Sequence, residues 1–395
     1  MSTTVLFSSA LCSLSQIEYI LKKYNKNVSG VTDQKYYRLM VNGLLKNGCN
    51  VHCLSAPPIS RTNEFIKLKS DSEGQCTYTY INILDVPGIR QISIFFVTLL
   101  HLFRWIYKTR SENRFIVCDV LNVSSSAAIL LAKLFHIHVI GIMTDMPGLM
   151  VNRSKGVVGR LITAINMILL QKYSSYVFLT EEMNVVVNKN KRPYLIMEGI
   201  VDYEMNISER LIDKSLKEIM YAGSLYERYG VKDLIDAFRE VEGDNLRLLI
   251  YGIGPMEKDM PFYMKQDQRL FFMGCVSNKK IVEKELSTYL LINPRPTNED
   301  FVKYSFPSKN MEYMVSGTPL LTTNLPGMPL EYKDYVYIIE KENKEGIKMA
   351  LDKLLNHTSR EELESKGNSA KKFVLAKKNN ICQMKRVIDL YESNK

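Results

Sequence analysis

The sequence predicts an α/β chain built from two doubly wound, parallel-sheet domains, and three observations carry that prediction. Short β-like runs alternate with helical patterns, which is the signature of strands joined by crossover helices. The alternation breaks near residues 197–206 ("MEGIVDYEMN") and starts afresh from Leu216. In the second half, successive strands run into glycine or proline turns that open helices, as in sheets that bind ligands at their carboxyl ends.

In the first half the strands are "TVLFS", "CNVHCLS", "FIVCDV", "HVIGIMT" and "SYVFLT". The helical stretches between them are "QKYYRLMVNGLLKNG", "SSSAAILLAKLF" and "VGRLITAINMILLQKY". Gly48 ends the first of these as a left-handed cap, and Ser124 or Ser125 is placed to cap the second. In the second half "LKEIMYAGSL", "LRLLIYGIG", "RLFFMGCV", "STYLLINPRP" and "TPLLTT" read as strands with their turns. "GVKDLIDAFREV", "PSKNMEYMVSG", "EGIKMALDKLL" and "EELESKGNSAKKFVLAKKN" read as helices. No fixed-period repeat or low-complexity segment interrupts the pattern.

Composition limits the function classes. The chain has 395 residues, a formal net charge of +10 and a pI of about 9.0. A basic balance points to an anionic partner (nucleic acid, a phosphorylated metabolite or an acidic membrane surface), or else to a solubility excess of lysine. Nucleic acid is disfavoured because the lysines are dispersed and no base-stacking module is present. The 7 cysteines are odd in number, scattered and without a CxxC spacing, which predicts buried free thiols in a reducing compartment. The 5 histidines do not stand beside cysteines at ligand spacing, so zinc is not expected. The N-terminal "MSTTVLFSSALCS" lacks a basic region and a long apolar core, so it does not read as a signal peptide. The most apolar run, "ISIFFVTLLHLFRWIYK", is interrupted by His101 and Arg104, so no membrane-spanning helix is expected.

Three loops of the second half have the makings of an anion site. "AGSLYERYG" offers Gly223 for close approach and Arg228 as a cation. "YGIGP" places Gly252 and Gly254 after a strand. "YSFPSKNME" uses Pro307 to set a turn, with Ser308 and Lys309 opening a helix whose N–H groups suit an anion. Glu312 lies one turn into that helix. There it either accepts hydrogen bonds from two vicinal hydroxyls or compensates the positive end of the helix. Each loop alone is commonly just a turn.

"YAGSLYERYGVKDLIDAF", "LLIYGIGP", "FFMGCVSN", "LINPRP" and "FPSKNMEYMVSGTPLLTTNLPGMPLEY" come in an order and spacing that resemble the donor-nucleotide domain of retaining GT-B glycosyltransferases of family 4. The bacterial surface-polysaccharide transferases with a Phe-Pro-Ser-Lys motif are the most similar group. "NGLLKNGCNVHCLS", "TDMPGLM" and "LTEEMNVVVN" in the first half match more loosely.

The resemblance implies two Rossmann-like domains facing across a cleft. It divides the chain into residues 1–197 for the acceptor, 198–372 for the nucleotide sugar, and a terminal helix 373–395 packing back on the first domain. It implies that Glu312 binds the nucleotide ribose. Phe306, Pro307 and Ser308 lie in the loop that offers N–H groups to diphosphate or sugar, with Lys309 on the same turn. Gly252, Gly254, Cys275 and Val276 border base and ribose. Two positions depart from the family. Tyr304 stands where a first glutamate faces the donor sugar, and Ser224 and Tyr229 stand where an Arg and a Lys hold the diphosphate. Arg228, Arg295 or Lys309 is then left to supply the charge. On the acceptor side, Thr144 and Asp145 occupy the position where the family often has a histidine. Asp145 either positions or deprotonates the acceptor hydroxyl or forms a turn before Pro147, and Asp119 is a second strand-end carboxylate.

The implied reaction is retaining transfer of a sugar from a nucleotide-diphosphate sugar to a saccharide acceptor, lipid-linked in cell-surface polysaccharide or glycolipid assembly. No DxD pair stands at a strand end in the second half, so no metal or other cofactor is required. Basic aromatic-rich stretches, Ile94–Arg110 and a second one carrying Arg153, Lys155, Arg160 and Lys172, read either as interfacial helices on an anionic membrane or as core helices with solvated ends. The expected location is cytoplasmic, peripheral on the inner membrane face. Two other readings stay open: a nucleotide-sugar 2-epimerase of the same architecture, and a non-catalytic nucleotide-binding subunit.

Overall fold

The structure, a computed structural model, describes residues 3–24, 28, 31–87, 89–146, 167–205 and 216–395. The chain divides into two compact units, Met1–Ile200 with Asn380–Lys395, and Val201–Asn379.

The first unit holds β1 (Thr3–Ser9), β2 (Asn50–Ser55), β3 (Phe65–Ile66), β4 (Asp71–Glu73), β5 (Cys76–Tyr80), β6 (Ile83–Leu84), β7 (Asn113–Asp119), β8 (His138–Met143), β9 (Ser175–Phe178) and β10 (Tyr194–Ile196). Eight of them form one sheet in the order β10-β9-β8-β7-β1-β2-β5-β4, and β3 pairs with β6 apart from it. Every neighbour in the large sheet is parallel except β4 against β5. β1 is central and buried along its whole length, with Val5 opposite Val51 on one side and Phe115 on the other. That double burial explains its near-continuous apolar run. The short β3, β4, β6 and β10 escaped the sequence pattern because two or three residues carry no readable period.

Helices α1 (Leu14–Tyr24), α2 (Val31–Lys46), α3 (Arg90–Lys108), α4 (Ser124–Leu134) and α5 (Glu181–Val187) belong to this unit. α4 is not capped by its own serines. Asn122 instead accepts from the Ser124 amide and hydroxyl, both at 3.2 Å. The helical pattern expected from Val158, with Arg153, Lys155 and Arg160, lies outside the described residues apart from its end.

The second unit is a six-stranded sheet of β11 (Lys217–Ala222), β12 (Leu246–Tyr251), β13 (Leu270–Gly274), β14 (Leu290–Asn293), β15 (Leu320–Thr323) and β16 (Tyr337–Ile339). Its order is β13-β12-β11-β14-β15-β16, parallel throughout. Its helices are α6 (Val231–Arg239), α7 (Met260–Gln266), α8 (Asn278–Ser287), α9 (Ser308–Ser316), α10 (Lys344–Asp352) and α11 (Arg360–Lys377). Apolar side chains form one buried cluster around Leu234, Phe238 and Leu248 and another around Met220, Met314 and Val374.

The chain returns to the first unit at Asn380 and not at residue 373, because Phe373 and Val374 pack in the core of the second unit. The segment 373–395 is accordingly not one helix. α11 ends at Lys377 and α12 (Asn380–Glu392) follows. Within the first unit α12 packs on α2. Its Tyr391 ring stacks on Phe115 at 4.5 Å, and Gln383 donates to the Gly199 carbonyl at 3.0 Å. Where α12 meets α2, a Cβ on Gly43 would lie 2.2 Å from the Asn380 carbonyl oxygen. Gly43→Ala is therefore expected to destabilise the first unit by about 1–3 kcal/mol, the usual cost of overpacking, read as a lower denaturation midpoint at unchanged m-value.

Candidate functional site

In the second sheet, β11 is followed by β12 on one side, while β14 lies on its other side. The strand order therefore reverses between β11 and β14, and in such sheets the ligand crevice opens at the carboxyl ends of that pair. Two loops meet there, residues 223–230 after β11 and 294–307 after β14. Gly230, at φ 79°, shows how closely they approach, since a Cβ there would lie 2.2 Å from the Pro294 carbonyl oxygen.

The two loops bring two guanidinium groups onto shared rings. Arg228 lies over Tyr229 at 5.3 Å and over Phe301 at 5.8 Å. Arg295 lies over the same rings at 5.1 Å and 4.9 Å. Burial pushes the Arg295 guanidinium below the usual arginine range, with the like charge of Arg228 adding to the effect against the opposing pull of Tyr229 and Tyr221. The group stays charged all the same, and its buried Nε has no hydrogen-bond partner. Aromatic faces offset part of the mutual repulsion, and an anion between the two would offset the rest. The loop is held from behind. Thr323 donates to the Arg295 carbonyl at 2.6 Å, and Glu342 accepts from the Thr297 amide and hydroxyl at 2.7 and 2.8 Å.

The other expected residues fall around this crevice with distinct roles. α9 begins at Ser308 with Pro307 as its N-cap and no side-chain cap, and the Asn310 amide donates to the Pro307 carbonyl at 3.0 Å. Glu312 sits one turn on and pairs with Lys309 at 2.8 Å. Lys309 is thus engaged by a carboxylate, whereas Arg228 and Arg295 meet on shared rings. Phe306 is a core side chain, its ring 5.4 Å from Tyr332. Tyr304 is half-buried under the Lys303 ammonium. Ser224 is exposed, and its carbonyl accepts from the Tyr221 hydroxyl at 2.9 Å.

The glycine pair after β12 serves packing first. Gly252 has φ 135° and would drive a Cβ to 1.7 Å from the Gly223 carbonyl oxygen, so that loop rests directly on the β11 loop. A Cβ on Gly254 would likewise meet the Leu225 carbonyl at 2.5 Å. Cys275 and Val276 follow β13 at the same end. Cys275 and Cys382 are exposed and the other five cysteines buried, a correction to the expectation of wholly buried thiols.

Sequence reasoning missed the groups that fix α9 in place. Tyr313 donates to the Ala222 carbonyl and accepts from its amide, at 3.2 and 2.8 Å. Asn293 donates to Asn310 at 2.6 Å and Asn310 to Thr322 at 3.3 Å, all three buried. The one available signal was an asparagine closing the otherwise apolar strand "LLIN".

The first sheet has its own order reversal, between β1 and β7. Asp119 ends β7 there, and Asp145 with Thr144 follows β8 next to it. Burial raises the Asp119 carboxyl to about 6 against hydrogen bonds from the Leu121 amide and the Tyr37 hydroxyl, with Asp33 and Asp145 adding like charge. Partial desolvation and then Asp33 raise Asp145 in the same direction. Asp33, in the first turn of α2, was not anticipated, because nothing in its local sequence marks it.

Residues 202–373 match the family described as Glycosyl transferases group 1. The chain as a whole has the fold of GT-B glycosyltransferases. It is similar to sucrose-phosphate synthase from Thermosynechococcus elongatus at a TM-score of 0.68 and 12% identity, over 100% of this chain and 99% of the other. It is similar to the lipopolysaccharide outer core galactosyltransferase WaaB at 0.62 and 13%, over 99% and 100%, and to Anabaena HepE in complex with UDP at 0.62 and 8%, over 100% of both chains. No curated protein matches the chain by sequence. The domain match, on this fold, supports a glycosyltransferase enzyme.

The Asp119 carboxyl makes a pH-dependent prediction. Its folded pKa lies above the unfolded value of about 3.9, so its ionisation destabilises the fold as pH rises through about 6. Asp119→Asn, which keeps an acceptor for Leu121, is expected to raise stability at pH 8 by roughly 2–3 kcal/mol. The gain should vanish near pH 4, as checked by denaturant melts at both values.

Proposed function

We propose that this enzyme transfers a sugar from a nucleoside-diphosphate sugar to a saccharide acceptor with retention, as a family 4 type enzyme of bacterial cell-surface polysaccharide or glycolipid assembly. The observation that carries this reading is the Arg228–Arg295 pair, stacked on Tyr229 and Phe301 beside the uncapped start of α9. It provides two positive charges and a helix N-terminus where a ligand sits in a doubly wound sheet. UDP in the HepE complex is a ligand of matching chemistry.

In this reading Arg228, Arg295 and the amides of α9 hold the diphosphate. Glu312 accepts from the ribose hydroxyls, with Lys309 paired to it at 2.8 Å. Gly223, Gly252, Gly254, Cys275 and Val276 border the nucleoside. Tyr304 packs near the sugar in place of a second carboxylate. The acceptor oxygen forms its bond to the anomeric carbon as the bond to the diphosphate breaks. The nucleoside diphosphate leaves with the electron pair, into the field of the two arginines. Asp145 positions the acceptor hydroxyl and takes its proton, and Asp119 is a second carboxylate on the acceptor side. Neither a metal nor another cofactor is needed for these steps. The acceptor is lipid-linked, which places the enzyme peripherally on the cytoplasmic membrane face.

Titration calorimetry with a panel of nucleoside diphosphates tests the donor site. Arg228→Ala and Arg295→Ala are each expected to weaken the best binder at least tenfold, since charge-assisted contacts of this kind contribute about 1.5–3 kcal/mol. Glu312→Ala should weaken the nucleoside diphosphate but leave inorganic pyrophosphate unchanged. Equal binding of the nucleoside diphosphate by wild type and Glu312→Ala removes the ribose role. For the acceptor side, Asp145→Ala is expected to lower kcat by about 10²–10⁴ with nucleoside-diphosphate affinity unchanged.

A further inference from the structure

α3 is apolar on two opposite faces. One face is core, with Ile94, Thr98, Leu102, Trp105 and Ile106 buried. On the other, Ile92, Phe96, Leu100, Phe103 and Tyr107 are each more than half exposed. At 3.6 residues per turn these five fall within roughly an 80° arc. Packing on α4 extends the patch, since Phe103 meets Phe135 edge-on at 6.0 Å and Leu130 and Leu134 are exposed beside them. A continuous apolar face of this size is not an ordinary surface, where large apolar side chains are scattered singly.

Charge decides what covers it. Neither α3 nor α4 contains an acidic residue. Exposed Arg104 and Lys108 lie along one side of the apolar arc on α3, Arg110 lies over the Tyr107 ring at 5.0 Å, and Lys133 is exposed on α4. The acidic residues that precede and follow α3 in sequence have partners of their own, Asp85 pairing with Arg90 at 2.8 Å and Glu112 accepting from the Thr4 hydroxyl. A second copy of this chain would set these cations against their own kind. No helix among the described residues is long and apolar enough to cross a membrane. We infer that the α3–α4 face docks on the anionic surface of a lipid bilayer, with the apolar arc entering the headgroup boundary and Arg104, Lys108, Arg110 and Lys133 meeting lipid phosphates. This deepens the membrane reading above by assigning it a surface, and it stands without any assumption about the donor or the transfer step.

Vesicle flotation of the full chain tests it directly. Vesicles of phosphatidylglycerol with phosphatidylcholine are compared with phosphatidylcholine alone, at low and high salt. The wild type is expected to float with the anionic vesicles, at least tenfold less with the neutral ones, and less as salt rises. Phe96→Ser/Leu100→Ser should lose anionic binding at least tenfold. Arg104→Glu/Lys108→Glu, which leaves the apolar arc intact, should lose it too and lose its salt dependence. All of these positions are exposed, and unchanged thermal melts with unchanged nucleoside-diphosphate binding would show that the fold and donor site are intact. Equal flotation of wild type and both variants overturns the inference. So does no flotation of the wild type, or a dimer in sedimentation that Phe96→Ser/Leu100→Ser converts to monomer.

Discussion

The second unit is organised around the reversal of strand order between β11 and β14. Two adjacent parallel strands send their chains to opposite faces of the sheet, and the loops that leave them have to share the space above the strand ends. Gly230 against Pro294, and Gly252 against Gly223, are the points where that crowding admits no side chain. Because the loops are forced together, Arg228 from one and Arg295 from the other end on the same two rings. The charge concentration follows from the backbone path, and the aromatic faces make it tolerable.

The same constraint explains the buried polar groups beneath the site. A helix that presents its N-terminus to a ligand cannot also use a side-chain cap there, and α9 has none. Its position is fixed instead from inside the unit, by Tyr313 on the Ala222 backbone and by the Asn293–Asn310–Thr322 chain. Buried, satisfied polar contacts of this kind specify one geometry, since any slip would leave a donor or acceptor unpaired. The first unit shows a related arrangement with opposite charge. Its reversal between β1 and β7 gathers Asp119, Asp145 and Asp33, and burial there favours the protonated form of Asp119.

Within this scheme the surface of α3 is a separate specialisation. A helix needs one apolar face to pack on its sheet, and α3 has a second that packing within the unit does not use. The two faces share one sequence run, which is why "ISIFFVTLLHLFRWIYK" reads as almost uniformly apolar.

The alternation of runs, the restart after residue 206 and the glycine and proline turns were enough to determine two doubly wound sheets and to mark the second-half loops, because each is a local consequence of period and backbone freedom. Arg228 and Glu312 were legible in those segments for the same reason, and Arg295 only through the family resemblance of "LINPRP". That Arg228 and Arg295 meet on one pair of rings was decided only by tertiary structure. Lys309 lies one turn from Glu312 and is taken by it, whereas Arg228 and Arg295, 67 positions apart in the chain, are brought together by the order of the strands. Asp33 joining Asp119, Asn293 joining Asn310, and the boundary at Asn380 were likewise decided by packing. Each depends on contacts between distant segments, and such contacts leave no period or spacing in the sequence.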